Sequence, residues 1–586
     1  MEKKVRKTMT KRKWLDTVRS RLWQEYSNHR ARHRELTDFF APYRGRFTIT
    51  DANRGVRKNQ RIVNTHALDA VSTIKSGMMA GITNPSTEWV RLTVADKRSA
   101  EEGETKEWLT TVTKDMNSVF LKSNLYKTLP NVYGDMAVVA NGALLMEEDW
   151  DDIVRFSSLP IGSYRISCNK KGKVDTVERE FRMTVRQLIE TFAFEEGEPL
   201  VEDDIDWDLF STKVHSFWKD GGEETWIDVV HIVLPNPEYD PNKLESKFKR
   251  YASYYYERGT TGANGGSTTT VLDSEKFLSE SGFDLFPIAV PRWEVTGEDA
   301  YGTNCPAINA EGQQRALQTA ERRLAQADEL GINPPLNIPA DLKKKNTSSL
   351  PGARVYTDGE TAQRAITSLF EVNFDKNSME NRILRHQEAI DRLFFKKAFV
   401  AISDLDRANI TATEINARLQ EGRLMIAGAL INIQDDLLEP LVDFAFAKMD
   451  ERDLIPDAPD DIQGQSLKVE FIGVLAQAQK SIALNGLVAF YESVGNVAAL
   501  TDDPTVWDKV NTEQLIDELA ESGGVTPAII VPDDDVELIK QQRMEAEQAM
   551  QQQEQMAQMA SSAKDLSQTD LSGDNALSAL AENAGV

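Results

Sequence analysis

The chain has 586 residues, of which 40% are hydrophobic and 27% charged, with a formal net charge of −25 and two cysteines. That length supplies core for several domains. The absence of any eighteen-residue apolar run argues against a membrane-spanning helix, the charged N-terminus lacks the apolar segment of a signal peptide, and two cysteines, Cys168 and Cys305, cannot build a disulfide framework, which fits assembly in a reducing cytoplasm.

The charge is unevenly placed. Residues 1–61 hold 18 lysines and arginines against six acids, an excess of twelve, so the remainder stands near −37. A basic arm on an acidic body has two readings. It neutralises nucleic-acid phosphates, or it docks on an acidic surface of a neighbouring subunit.

In chain order, the periodicity of Trp14, Leu15, Val18, Leu22 and Tyr26 predicts a helix over Val5–Phe40, with its basic residues on the opposite face. His29 and His33 have a metal-compatible spacing, but no third ligand is evident and packing histidines are favoured. Pro42 and Gly45 break the helix. A second helix is predicted over Ile62–Ala80. There Gly77 and Gly81 either permit close backbone approach or mark a helix end. A strand led by a tryptophan follows at Glu88–Leu92. Helices are predicted over Glu104–Lys122 and Tyr126–Ala137, the second running past Pro130.

Residues 143–300 change to short alternating segments: Ile153–Phe156, Tyr164–Ser167, Val174–Met183, Thr225–Leu234, Lys249–Arg258, Thr268–Ser274 and Pro287–Val295. Val185–Phe194 reads as a helix capped by Thr184. The tyrosines at 251, 254, 255 and 256 allow base stacking, although sheet packing is the commoner use.

Two long helices follow, Pro306–Gly331 and Met379–Val400, with narrow apolar stripes at Leu317, Ala320, Leu324, Ala327 and at Met379, Ile383, His386, Ile390, Leu393. A narrow stripe suits either an ordinary αα-hairpin or a stalk packing on copies of itself. The segment between is rich in proline and carries the Lys343-Lys344-Lys345 knot. Thr411–Glu414 forms a capping-box pattern, with helix continuing past a break near Gly428 through Leu437, Leu441, Phe444 and Met449. Leu467–Phe471 reads as a strand and Val474–Ser493 as a helix. Asp533–Ser562 reads as an exposed helix in need of partners.

The sequence contains no GxxxxGK[ST], GxSxG, HExxH or CxxC motif. The acidic runs at 202–208 and 533–535 read as solvated segments or helix caps rather than metal sites. An enzyme is disfavoured, and no cofactor or metal is expected.

Four ordered segments carry a resemblance. ALDAVSTIKSGMMAGITNPSTEWVRLTVAD (Ala67–Asp96) resembles the helix-turn-strand signature of the portal, or head-to-tail connecting, proteins of short-tailed phages. GEDAYGTNCPAINAEGQQRALQTAERRLAQADELGINPPL (Gly297–Leu336) resembles that family's entry into its first stem helix. TATEINAR (Thr411–Arg418) and LKVEFIGVLAQAQK (Leu467–Lys480) are similar to two further segments in the same order.

The resemblance implies an α+β, multidomain portal fold. Its parts are a wing (1–300, helices then a β-rich region), a first stem helix (301–331), a clip (332–375), a second stem helix (376–400), a tunnel loop (401–410), a wing helix (411–465), a crown (466–532) and a C-terminal helical barrel and tail (533–586). It implies a dodecameric ring at one capsid vertex of the virion, at the head-tail junction, assembled in the host cytoplasm. Capsid protein, scaffold, terminase and a tail adaptor are the implied partners, with double-stranded DNA in the channel and no membrane. The candidate DNA-facing groups are Lys343, Lys344 and Lys345 in the clip, Lys396 and Lys397 on the second stem helix, and Arg407 in the tunnel loop. Arg322 and Arg323 on the first stem helix are weaker candidates, for which packing or intersubunit salt bridges are favoured. A tail adaptor or collar ring, or a DNA-processing enzyme, are the alternatives.

Overall fold

A computed structural model describes residues 10–50, 58–94, 103–194, 205–259, 276–337, 367–368, 375–403, 428–463, 465, 467–472, 490–497 and 533–567, with a few isolated positions between 500 and 531. By its internal contacts the chain forms two units. The first comprises Met1–Arg91, Val112–Pro456 and Val469–Ala483; the second comprises Leu92–Thr111, Asp457–Lys468 and Leu484–Val586. Among the described residues, no helix is long and apolar enough to cross a membrane.

In the first unit, helix α1 (Lys11–Phe40) lies across a five-stranded antiparallel sheet. The sheet runs β4 (Tyr164–Cys168), β5 (Val174–Thr184), β6 (Trp226–Pro235), β7 (Tyr251–Glu257), β8 (Ser279–Phe283) in spatial as well as chain order. The two-residue period of a strand explains the packing. Val230, Ile232 and Leu234 of β6 and Ala252, Tyr254 and Tyr256 of β7 meet Leu15 and Leu22 of α1. The intervening Val229 and Val233 enter two other clusters on the opposite side. Both faces are covered, so β6 is a nearly continuous apolar run.

The tyrosines at 254, 255 and 256 are sheet packing: Tyr254 and Tyr256 are buried, and Tyr255 stacks on His231 at 3.8 Å. Thr184 accepts from the Gln187 amide, and the Gln187 side chain accepts from Thr184 N, which completes a capping box for helix α5 (Val185–Phe192).

Helices α2 (His66–Ile82) and α4 (Leu125–Val139) pack together, and a second sheet has the order β3 (Ile153–Ser158), β2 (Leu144–Asp149), β9 (Ile288–Ala289). Strands β1 (Val90–Val94) and β12 (Leu467–Phe471) each run across the division between the two units, β10 (Leu336–Asn337) pairs with β11 (Thr367–Ser368), and Trp89, just before β1, stacks on Phe120 and donates to the Tyr126 hydroxyl at 3.0 Å. Helix α3 spans Gly103–Lys122, and helix α6 spans Thr212–Lys219 with Ser211 as its N-cap.

Several sequence expectations need correction. The basic residues of α1 are not all on a solvent face. Arg12 is buried with its guanidinium over the Tyr256 ring at 3.6 Å, and Arg19 pairs with Glu178 at 3.1 Å and with Glu180. Apolar periodicity misses this because an arginine stem packs like a hydrophobe while its head finds a buried acid. Strand β8 and helix α6 were not expected. Pro287–Val295 contributes only the two strand residues of β9. The predicted strand Thr268–Ser274 and the Thr411 helix start lie outside the described residues.

The second long helix is also broken. It runs as α8 (Lys376–Leu393) and α9 (Lys396–Ser403), because Phe395 sits at φ 56°. Residues 401–403, assigned to the tunnel loop, continue α9.

Candidate nucleic-acid interface and stem

Helix α7 (Pro306–Ile332) begins with Pro306 at its first turn, where a missing N–H costs nothing. Asp375 caps α8 by accepting from Ser378 N at 3.2 Å. The two helices form an antiparallel hairpin. Gln313 Oε1 meets His386 Nδ1 at 2.7 Å near its base, and Lys376 meets Asp328 at 3.4 Å further out.

Burial is graded along this hairpin. Pro306, Ala307, Ala310, Gln314, Leu317, Gln318 and Ala320 of α7 are buried, none of them beyond Ala320, and α8 buries only Ile383 and Ile390. Leu324 and Ala327 are half-buried, and beyond them Leu330 and Ile332 are exposed; on α8, Leu384 is exposed beside the buried Ile383. The base is built into the unit, and the outer half projects with apolar side chains uncovered.

Long-range polar contacts fix the base. Gln318 Oε1 accepts from Val63 N and Asn64 N at 2.7 and 3.0 Å, and its Nε2 donates to Asn64 O at 2.7 Å. Asp391 Oδ1 lies 2.8 Å from His66 Nε2 and 3.2 Å from Lys396 Nζ. These bonds tie α7 and α8 to the start of α2. Sequence reasoning could not find them, since no local pattern links residues more than 250 positions apart.

The α8–α9 break is packed with aromatics. Phe394 stacks on Phe40 at 5.6 Å and Phe395 lies parallel to Trp293 at 6.3 Å. Phe399 of α9 then fills the space a β-carbon would need at Gly77, so that glycine serves close approach inside α2 rather than a helix end.

Of the candidate DNA-facing groups, the described residues include Lys396, Lys397, Arg322 and Arg323. Lys396 is held by Asp391, while its neighbour Lys397 is exposed. Arg322 donates to Arg61 O at 3.3 Å and Arg323 is exposed, both midway along α7. Lys343, Lys344, Lys345 and Arg407 lie outside the described residues. His29 and His33 are packing residues whose rings meet Tyr301 at 4.8 and 6.1 Å.

The described residues hold no group of His, Cys, Asp and Glu suited to a metal ion. Cys305 is buried at the N-cap of α7, and burial pushes its thiol up to about 12, so it is protonated and poorly nucleophilic at neutral pH. In the second unit, helix α11 (Asp533–Ser567) exposes Leu538, Ile539, Met544, Met550, Met556 and Met559.

Known proteins give this arrangement its context. Residues 12–530 match the family model described as bacteriophage head to tail connecting protein. The chain is 37% identical over 552 residues to the portal protein of Salmonella phage epsilon15, covering 94% of each chain. It is 33% identical over 568 residues to the probable portal protein of Bordetella phage BPP-1, covering 97% of each. The match spans the five-stranded sheet, the α7–α8 hairpin and the helix ending at Asp450 alike, and the chain belongs to the bacteriophage head-to-tail connecting, or portal, family, a structural connector and not an enzyme.

Proposed function

We propose that copies of this chain close into a ring, of twelve subunits, at one vertex of the phage head. The α7–α8 hairpins form the stem around a channel through which double-stranded DNA enters during packaging and leaves during ejection. The observation that carries this reading is the graded burial of the hairpin: a helix pair whose outer end leaves Leu330 and Ile332 uncovered in a single chain is completed by its neighbours. The exposed apolar residues of α11 support the same reading at the C-terminal end, where residues 533–586 form a barrel above a crown of residues 466–532.

In this reading residues 332–375 form the clip, presented to the terminase and later to the tail adaptor, while the wing contacts capsid protein and scaffold. The strongly acidic body gives the channel a low-adhesion wall, since like charge keeps DNA from sticking. Lys343, Lys344, Lys345, Lys397 and Arg407 contact the passing duplex. Lys396 is the weakest of the set, because Asp391 already neutralises it.

Native mass spectrometry with negative-stain imaging tests the ring: particles near twelve subunits with a central hole are expected, and a compact dimer without a hole would refute it. Arg407→Ala is expected to impair packaging or retention while rings still form; normal packaging by that variant would remove the tunnel-loop assignment.

A further inference from the structure

We infer that the outer face of α1 and the outer face of the wing helix are the two halves of one head-to-tail contact between neighbouring copies. This rests on the ring reading and names the surface that closes it.

Helix α1 sorts its cations into two sets. Arg12 and Arg19 turn inward to Tyr256, Glu178 and Glu180, Lys11 pairs with Glu280 at 2.6 Å, and Arg30 donates to Phe47 O at 3.0 Å. Lys13, Arg21, Arg32 and Arg34 are exposed, and none has an ion pair among the described residues. At 100° per residue these four fall within one side of the helix, together with the uncharged Thr17, Ser20, Gln24 and Asn28. The acids of α1 do not neutralise this face. Asp16, Glu25 and Asp38 are half-buried, and Glu35, which falls in the same arc, is held by Arg315 at 2.6 Å. A cationic stripe of about 30 Å therefore lies open on a chain of net charge −25.

The complement is on the wing helix, formed by residues 428–433, the π-helical turn Gln434–Leu438 and α10 (Glu439–Asp450). Its inner side buries Leu437, Leu441, Phe444 and Met449 and sends Asp436 to Arg292 at 3.1 Å. Its outer side presents Asp435, Glu439, Asp443 and Asp450, all exposed. Lys173 reaches this row weakly, 3.9 Å from Glu439 with both side chains open to solvent. The nearby Lys448 and Arg452 are engaged elsewhere, with Glu451 and Glu148. Glu439 helps hold the Asp443 carboxyl above its ordinary range, after the larger effect of partial burial, so this row repels itself in the single chain.

Among the described residues no ion pair joins the two stripes, and each carries exposed like charges that an opposite surface relieves. Both stripes lie on every copy, and they are different surfaces. A contact between them is therefore heterologous and repeats head to tail, which is the geometry that closes rings. Arginine is the cation suited to such a contact, since its planar fork pairs carboxylates bidentately.

The test uses full-length chains and reads the ring fraction by native mass spectrometry, with circular dichroism melts to show that each variant folds. Arg21→Glu with Arg32→Glu turns two of the four α1 cations negative; Glu439→Lys with Asp443→Lys turns two of the four wing-helix acids positive. Each double variant alone is expected to need about tenfold or more protein for half assembly. Mixed in equal amounts, the two are expected to restore even-numbered rings of alternating subunits, a result that damage to folding cannot give. Wild-type rings alongside variants that each assemble as well as wild type would overturn this contact and leave the ring reading standing. Normal rings that lose duplex DNA binding only on reversal of the α1 charges would overturn it by assigning that face to nucleic acid. A wild-type chain that never forms rings would overturn both readings.

Discussion

His33 shows how far burial decides the behaviour of a single side chain here. Packed among Tyr26, His29 and Tyr301, it is held down to about 3, chiefly by burial and further by His29 and Arg32. The folded chain thus keeps it neutral where the unfolded chain, with an ordinary imidazole near 6.5, takes up a proton. Its contribution is intact above pH 6.5 and is lost as pH falls from there towards 3, at up to about 1.4 kcal/mol per pH unit. His231, fully buried beside Arg179, is held well down for the same reasons. His33→Phe keeps the ring contacts and removes the proton, so the melting temperature of that variant should fall less steeply between pH 6 and pH 4. A slope equal to wild type would show that His33 is not what senses the acid.

Gly77 carries a second prediction at this scale. With Phe399 against its α-carbon, Gly77→Ala overpacks the α2–α9 contact, and a loss of about 1–3 kcal/mol is expected by chemical denaturation. The ordinary helix-propensity gain of alanine would act the other way, but it is worth only about 1 kcal/mol. Combining Gly77→Ala with Phe399→Leu should recover part of the loss, and strict additivity would show that the two residues do not meet.

Among elements, α1 on the sheet is the instructive contact. Apolar periodicity places Leu15, Leu22 and Tyr26 against the sheet, but four charged groups share that interface. Arg165 lies 3.0 Å from Glu178 and 3.7 Å from Glu180, and its guanidinium stacks over Trp23 at 3.6 Å, while Arg19 reaches both acids from α1. Burial raises the Glu178 carboxyl, and Arg165 and Arg19 oppose that. Arg165→Met should therefore cost about 3–5 kcal/mol, because it leaves a buried carboxylate short of a partner. Arg165→Met combined with Glu178→Leu should recover much of that, as read by a double-mutant cycle.

The same contact shows what was legible in the sequence. Helices and strands with clean periods appear close to their expected bounds: α7, β5, β6, β12 and α11. The Thr184 cap was readable because its partner is three residues away. The break at Phe394-Phe395 was not, because the apolar pattern of Met379–Val400 is that of one continuous helix and only Phe40, Trp293 and Gly77, each distant in sequence, hold the kink. The division of α1's cations into buried and exposed sets was hidden likewise, since Arg19 finds its acids on β5 and Arg12 its ring on β7. Of the candidate DNA-facing groups, Lys396 owes its neutralised state to Asp391, five residues away, a pair that helix spacing alone does not single out.

On the scale of the whole molecule, the C-terminal helix poses a problem of solvation. α11 offers Met544, Met550, Met556 and Met559 at 55–71% exposure, interleaved with Gln and Glu, and an isolated helix of this kind draws little stability from propensity alone. If copies gather these helices into the proposed barrel, the methionines become contacts, which suits their adaptable, polarisable side chains. Oxidation distinguishes the two states because the sulfoxide forms readily only where peroxide reaches the thioether. Brief peroxide treatment followed by peptide mass spectrometry should oxidise all four residues in dissociated subunits and spare them in rings, while the buried Met78, Met116 and Met136 are spared in both. Pre-oxidised subunits should then form rings whose C-terminal helices remain accessible to protease, since a polar sulfoxide opposes burial in the barrel. Equal oxidation of the four methionines in rings and in free subunits would mean that the C-terminal helices stand apart, and the stem and wing alone would hold the ring.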